Sequence, residues 1–243
     1  MMGAGLPFIG IDAGSTAAKL VRFDGRTIVC SKVVESRKWP SLLKLVKKGE
    51  PVCTTGYFRR KVPHDLSLTE ISAARLGVAR FYPDAEVILD LGGQDTKVTD
   101  LRNLTLQMND KCSAGTGAFL EQAARYLGVS VDGLALMAER ARDRVDINST
   151  CSVFAQSEMI SALEKGATKE EVAAGLHHAL ARRIAELVPD AERIVAIGGV
   201  ARNRSMLFAL GAILDRRLLV PPEPQTVNAL GAAIHAAAHS SQS

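Results

Sequence analysis

The sequence predicts an α/β protein built from two related halves flanking a cleft. An apolar strand, a glycine turn and a returning strand occur in that order at residues 7–23 and again at 85–99, and each block is followed by segments of helical period. The 243 residues, 47% apolar and 23% charged, have an ordinary globular composition, which excludes disorder and coiled coil and gives enough chain for one large core or two small ones.

Taken in order, the first apolar run, Pro7 to Ile11, ends at Asp12-Ala13-Gly14-Ser15-Thr16 and is followed by runs at 18–23 and 27–34. Gly14 and Asp24-Gly25 separate them, so the three read as an antiparallel meander. Residues 42–46 have helical spacing before Gly49-Glu50-Pro51, and 52–55 read as a short strand. Leu68, Ile71, Ala74 and Val78 place a helix over 67–81, stopping before Pro83. Residues 85–91 form a strongly apolar strand that runs into Gly92-Gly93-Gln94-Asp95, with 96–99 and 104–108 as hairpin partners. Helices are predicted at 117–127, 131–141, 152–163 and 169–188, then a strand at 193–197 closed by Gly198-Gly199. A helix at 205–214, a strand at 218–220 and a helix at 226–238 complete the chain. The expected domains are 1–82 with 227–243, and 83–226.

The net charge of +4, from 30 Lys and Arg against 26 Asp and Glu, is spread thinly, with no basic run interleaved with aromatics. Nucleic acid is therefore a poor partner, while an acidic protein or an anionic small molecule fits. No stretch approaches the roughly 18 apolar residues of a membrane span and no basic segment precedes the first apolar run, so a cytoplasmic protein is expected. Four cysteines are too few for a disulfide scaffold and leave thiols or metal ligands.

At the first strand end, Gly14 lets the backbone approach an anion, Ser15 and Thr16 offer hydroxyl and amide donors, and Lys19 adds positive charge. Taken alone, this segment also fits a plain hairpin turn. Asp90-Leu91-Gly92-Gly93-Gln94-Asp95 repeats the arrangement, making Asp12 and Asp90 candidates to face each other through a hydrated Mg²⁺, which takes one or two carboxylates plus phosphate oxygens. Gln94 is suited to orient a water for attack on the terminal phosphate. Gly198, Gly199 and Asn203, at a third strand end, offer a flat surface for an adenine. This set resembles the superfamily of acetate and sugar kinases, heat-shock chaperones and actin, which implies the actin-like ATPase (ribonuclease H-like) fold. The likeness leaves kinase, chaperone and filament open.

Two cysteines do not fit a kinase. Cys112 in Asn109-Asp110-Lys111-Cys112-Ser113-Ala114-Gly115-Thr116-Gly117 and Cys151 in Ser149-Thr150-Cys151-Ser152 each precede a predicted helix, in segments expected to have free amides. Helix N-termini favour thiolates. Cys30 and Cys53 lie in apolar runs and are expected in the core. Two thiolates are half of the four ligands that a tetrahedral zinc or a [4Fe–4S] cluster takes. A twofold dimer sharing one cluster satisfies that count; two merely buried or reactive thiols that ligate nothing are the alternative. Of the other candidates, His177 and His178 read as one packed and one exposed, Glu70 and Glu158 as solvated carboxylates or Mg²⁺ helpers, and Trp39 and Phe58 as packing residues.

Together, GIDAGSTAAK, DLGGQDTK, MNDKCSAGTGAFL, STCSVFAQSEMI and IGGVARN resemble the activators (component A) of 2-hydroxyacyl-CoA dehydratases, within the wider family that includes the ATPases of benzoyl-CoA reductases. The likeness runs from Ile9 to about Ala237. It implies a homodimer with one bridging [4Fe–4S] cluster held by Cys112 and Cys151, and ATP hydrolysis that drives a low-potential electron to an acceptor enzyme. By motif position the phosphates fall near Asp12, Gly14, Ser15, Thr16, Lys19, Gly92, Gly93 and Gln94, with ATP or ADP and Mg²⁺ as ligands and a ferredoxin or flavodoxin as electron donor. Competing readings are the ATPase of an aryl-CoA reductase or of a double-cubane-cluster reductase, a cluster-free small-molecule kinase, and a chaperone-like nucleotide switch. The short chain leaves the kinase little room for a substrate domain, and the switch has no use for Cys112 and Cys151.

Overall fold

The structure, a computed structural model, describes residues 6–109, 115–148 and 152–240. The backbone divides into two compact units, Met1–Ala85 with Pro221–Ser243, and Glu86–Val220.

In the first unit, β1 (Phe8–Ala13), β2 (Ala17–Phe23) and β3 (Ile28–Glu35) form the expected meander, followed by α1 (Pro40–Leu43), β4 (Val52–Thr55), the two-residue β5 (Leu66–Ser67) and α2 (Glu70–Ala79). β4 pairs in parallel with β1 and β5 with β4, so the sheet order is β3-β2-β1-β4-β5. Side chains alternate along β1: Ile9, Ile11 and Ala13 join Leu20, Leu42 and Val62 in a core on one face, and Trp39 and Phe58 pack against it as expected. The helical period at 42–46 becomes a single turn begun by Pro40 at its first position. Helix α2 starts later than its apolar period indicates because Ser67 pairs with Thr54 and the Thr69 hydroxyl caps the helix, accepting from the Ser72 amide at 3.2 Å.

One expectation fails here. β3 is a sheet edge paired only with β2, and residues 28–33 along it are exposed. Cys30 is therefore exposed rather than in the core, since an apolar run read from sequence carries no information on whether its strand has one neighbour or two. Cys53, on the interior strand β4, is buried, and burial pushes its thiol up to about 12.

The second unit begins with a second meander, β6 (Val87–Leu91), β7 (Thr96–Asp100) and β8 (Thr105–Asn109), and continues through α3 (Gly117–Leu127), α4 (Val131–Arg140), α5 (Ser152–Glu164), α6 (Lys169–Ala185), β9 (Ile194–Ile197) and α7 (Arg204–Leu214). β9 pairs in parallel with β6, so the order β8-β7-β6-β9 repeats β3-β2-β1-β4 of the first unit. Leu89 and Leu91 anchor its core with Leu120, Leu176, Leu180 and Met206. The strand predicted at 218–220 reduces to one bridge, Val195 to Leu219, because Pro221-Pro222 follow and cannot donate to a ladder.

The last helix, α8 (Val227–Ser240), returns to the first unit and covers the sheet face opposite Ile9 and Ile11: Ala229, Leu230 and Ala233 pack on Val21 and Phe23, and Ala232 and Ala236 on Cys53. Gly10 lies against Ala229, while Phe8 packs beside Ala232 and Ala236, so α8 runs antiparallel to β1 with its first turn toward Asp12. Among the described residues no helix is long and apolar enough to cross a membrane.

Candidate functional site

Asp12 closes β1 on the α8 side of the sheet and is 4% exposed. Lys19 is its direct partner in the β1–β2 register, and Lys19 Nζ donates to Asp12 Oδ2 at 2.9 Å. Between them the turn is tied to the sheet edge: the Ser36 hydroxyl donates to the Gly14 carbonyl at 2.6 Å and the Ser36 amide to Thr16 at 3.0 Å. Ser15 and Thr16 are exposed at the tip. The other carboxylate oxygen lies against Gly56, the residue after β4, which has φ +93°. A methyl group at Gly56 would sit 2.5 Å from Asp12 Oδ1 and 2.6 Å from the Ala13 carbonyl carbon, so only glycine gives this carboxylate its place.

The second unit repeats these parts. Asp90 on β6 is paired in register with Lys97 on β7, and Lys97 Nζ lies 2.5 Å from Asp95 Oδ2. The Gly92 amide donates to the Asp95 carbonyl at 2.9 Å, which closes the turn with Gln94 exposed. Gly198, the residue after β9, has φ +92°, and a methyl group there would sit 2.8 Å from Asp90 Oδ1 and 2.5 Å from the Leu91 carbonyl oxygen. Within the first unit, then, Asp12, Gly14, Ser15, Thr16 and Lys19 come together, and within the second Asp90, Gly92, Gly93, Gln94, Gly198 and Gly199. Thr55, Gly56 and Lys97 were not singled out from the sequence. A short run ending in glycine occurs at 52–56 as it does at 194–198, but nothing in the sequence ties the first of them to Asp12. Each unit brings one carboxylate at a strand end beside backbone amides and a lysine, a donor set that suits a hydrated Mg²⁺ bridged to phosphate oxygens and not a fully protein-ligated metal. Among the described residues no group of three or more His, Cys, Asp or Glu could hold a metal.

Cys112 and Cys151 lie outside the described residues; the helices that follow them do not. The amides expected to be free are partly used: Gly117 N donates to the Gly92 carbonyl at 2.9 Å and Ala118 N to the Gly93 carbonyl at 2.8 Å. The first turn of α3 therefore sits directly on the Gly92-Gly93 loop. In the next turn Gln122 Nε2 donates to Gln156 Oε1 of α5 at 3.3 Å, so the early turns of the two helices that follow the cysteines are neighbours.

Asn203 caps α7, its Oδ1 accepting from the Met206 amide at 3.0 Å, and its Nδ2 donates to His177 Nε2 at 3.0 Å. With both ends engaged, its side chain positions the loop. His177 is buried and gives its Nδ1 proton to the Ala173 carbonyl at 2.7 Å, and burial holds its pKa below the usual imidazole value. Directly after Asn203, Arg204 and Phe208 border a cavity of about 830 Å³ with Glu139, Arg142 and His178, a volume that suits a nucleoside. Glu158 Oε2 accepts from the Asn148 amide at 2.5 Å, and Glu70 opens α2.

Residues 9–236 match the model of the BadF/BadG/BcrA/BcrD ATPase family. The chain is 38% identical over 249 aligned residues, 94% of each protein, to the 2-hydroxyisocaproyl-CoA dehydratase activator of Clostridioides difficile. Among solved structures, it superposes on the activator of the 2-hydroxyisocaproyl-CoA dehydratase from Clostridium difficile with bound ADPNP at a TM-score of 0.90, with 36% identity and 98% and 97% of the two chains covered. It superposes on the Acidaminococcus fermentans (R)-2-hydroxyglutaryl-CoA dehydratase component A at 0.92, with 36% identity, 98% of this chain and all of the other. The fold is the actin-like ATPase fold that the sequence motifs implied.

Proposed function

This chain belongs to the BadF/BadG/BcrA/BcrD ATPase family, and from that premise we propose that it is an ATP-hydrolysing one-electron reductase, the activator of a 2-hydroxyacyl-CoA dehydratase or a related acceptor enzyme. In this reading Asp12 and Asp90 hold the hydrated Mg²⁺, while Gly14, Ser15, Thr16, Lys19, Gly92 and Gly93 hold the phosphates. Gln94 orients the water, Gly198 and Gly199 face the base, and Asn203 fixes the loop that carries them. Cys112 and Cys151 ligate one [4Fe–4S] cluster shared by two copies of the chain in a cytoplasmic homodimer. When bound, the cluster supplies a low-potential one-electron carrier, filled by a ferredoxin or flavodoxin.

The observation that supports the reading best is the seat of α3 on the Gly92 and Gly93 carbonyls, which joins a phosphate loop to the helix behind Cys112 without an intermediate element. A relay is needed because a one-electron shift of about 59 mV corresponds to about 1.4 kcal/mol, so a few hundred millivolts requires several kcal/mol. A helix terminus supplies about 0.3–1 and at most about 2 kcal/mol. Reorienting α3 and α5 alone falls short, and docking to the acceptor enzyme must contribute the rest.

The test is anaerobic purification. The protein is expected to be brown with about four Fe per dimer. Cys112→Ser and Cys151→Ser should lose the colour, whereas Cys30→Ser, at an exposed edge, and Cys53→Ser, in the core, should keep it. Full iron in either of the first two variants overturns the assignment.

A further inference from the structure

Thr55 is 0% exposed, and its hydroxyl is a buried polar atom with no hydrogen-bond partner among the described residues. Buried polar groups are almost always paired, because leaving one unpaired forfeits its interaction with water. Nothing about packing requires an oxygen there. In the second unit the equivalent residue, aligned with Asp90 and followed by a left-handed glycine, is Ile197, which is equally buried and wholly apolar. Thr55 is aligned with Asp12 in the parallel β1–β4 register, so the two side chains project from the same sheet face on adjacent strands. Asp12 is presently held by Lys19 at 2.9 Å and by the fit of its other oxygen against Gly56.

We propose that Thr55 is a positioning residue for Asp12: when Lys19 turns to the phosphates of a bound nucleotide, the Thr55 hydroxyl takes over as hydrogen-bond donor to the Asp12 carboxylate and holds it toward the cation. In the geometry described the hydroxyl is unspent and available for that exchange. Only the proton of the hydroxyl is shared with the carboxylate in this exchange, and no bond is made or broken. The inference rests on the ATPase reading given above and adds to it a residue that touches neither phosphate nor metal.

The experiment measures ADP binding by calorimetry with and without Mg²⁺, and the melting temperature of nucleotide-free protein, for wild type, Thr55→Val and Thr55→Ser. Thr55→Val keeps the shape and removes the hydroxyl. It should melt higher than wild type by about 2–4 °C without nucleotide, since an unpaired buried oxygen has gone. It should bind Mg·ADP about tenfold more weakly, equivalent to about 1.4 kcal/mol, while binding metal-free ADP as wild type does. Thr55→Ser should restore Mg·ADP binding. A Thr55→Val protein that melts lower, or binds Mg·ADP within twofold of wild type, overturns the inference, as does equal weakening with and without Mg²⁺ or a Thr55→Ser variant that fails to restore. Wild-type protein that binds no adenine nucleotide would instead defeat the ATPase reading, and this inference with it.

Discussion

Gly198→Ala probes the join between the third glycine turn and Asp90. The backbone there has φ +92°, and forcing an L-residue into that region costs about 1–2 kcal/mol. The new methyl would also meet the Leu91 carbonyl oxygen at 2.5 Å and its carbon at 2.8 Å. These atoms cannot recoil freely, because β6 is held by β7 on one side and by β9 on the other. Overpacking of this kind costs about 1–3 kcal/mol. At about 2–4 °C per kcal/mol for a chain of this size, the sum is a drop of roughly 4–20 °C in melting temperature. Gly166→Ala separates the two contributions: Gly166 has φ +94° and open space around its missing side chain, so it incurs the conformational cost alone. Scanning calorimetry of both variants should place Gly198→Ala about 2–12 °C below Gly166→Ala. Because the same methyl crowds Asp90 Oδ1 at 2.8 Å, Gly198→Ala should also hydrolyse ATP at least about tenfold more slowly, a barrier increase of about 1.4 kcal/mol. Equal melting temperatures, or an unchanged hydrolysis rate in Gly198→Ala, would refute the claim that this glycine is required by contact.

Asp12→Asn and Asp90→Asn should each lose Mg²⁺-dependent ATP turnover while retaining iron, and parental hydrolysis rates in both would remove the phosphate site from these strand ends. Burial lowers the pKa of His177 below its ordinary 6.5, so below that pH the unfolded chain binds a proton that the folded chain resists. Stability should therefore be full above about pH 6.5 and decline as pH falls, by up to about 1.4 kcal/mol per pH unit, and His177→Gln should flatten that slope in urea titrations at pH 7 and pH 5. An iron chelator should bleach the reduced protein faster with a non-hydrolysable ATP analogue than with ADP. Gly117→Ala, whose methyl would lie 2.9 Å from Val200 Cγ2 and 3.1 Å from the Gly92 carbonyl, should narrow that difference, and an unaltered difference would mean that α3 does not carry the signal.

Most elements were legible because local rules suffice for them: alternation in β1 and β6, glycine turns after them, and a helical period with an N-terminal cap in α6, where Thr168 and Glu171 form a reciprocal capping box. One failure depended on a neighbour distant in sequence, and another on residues directly after the segment. The run containing Cys30 has the composition of a buried strand, but its exposure is decided by β2 being its only partner. The strand predicted at 218–220 has suitable residues and is cut short by the prolines after it. In the site, Asp12, Lys19, Asp90 and the turn glycines were readable because each turn is local. Gly56 was not, since its left-handed backbone has meaning only once β4 lies beside β1, more than forty positions earlier in the chain.

The duplication sharpens what differs between the halves. Both place an aspartate at the end of the first meander strand, a lysine opposite it and a left-handed glycine behind it. In the first unit the turn is fastened by Ser36, an element of the same sheet edge, so displacement at Gly14 ends locally. In the second unit the matching turn is fastened by the amides of Gly117 and Ala118, which begin a helix whose next turn is bonded to α5. The same turn geometry thus ends in a local anchor in the first unit and in the helix pair that follows Cys112 and Cys151 in the second. On the proposed reading this assigns binding to both halves and transmission to the second alone. Substitutions that loosen the Ser36 anchor should then alter nucleotide affinity without altering how nucleotide changes chelator access, whereas substitutions at Gly117 should do the reverse.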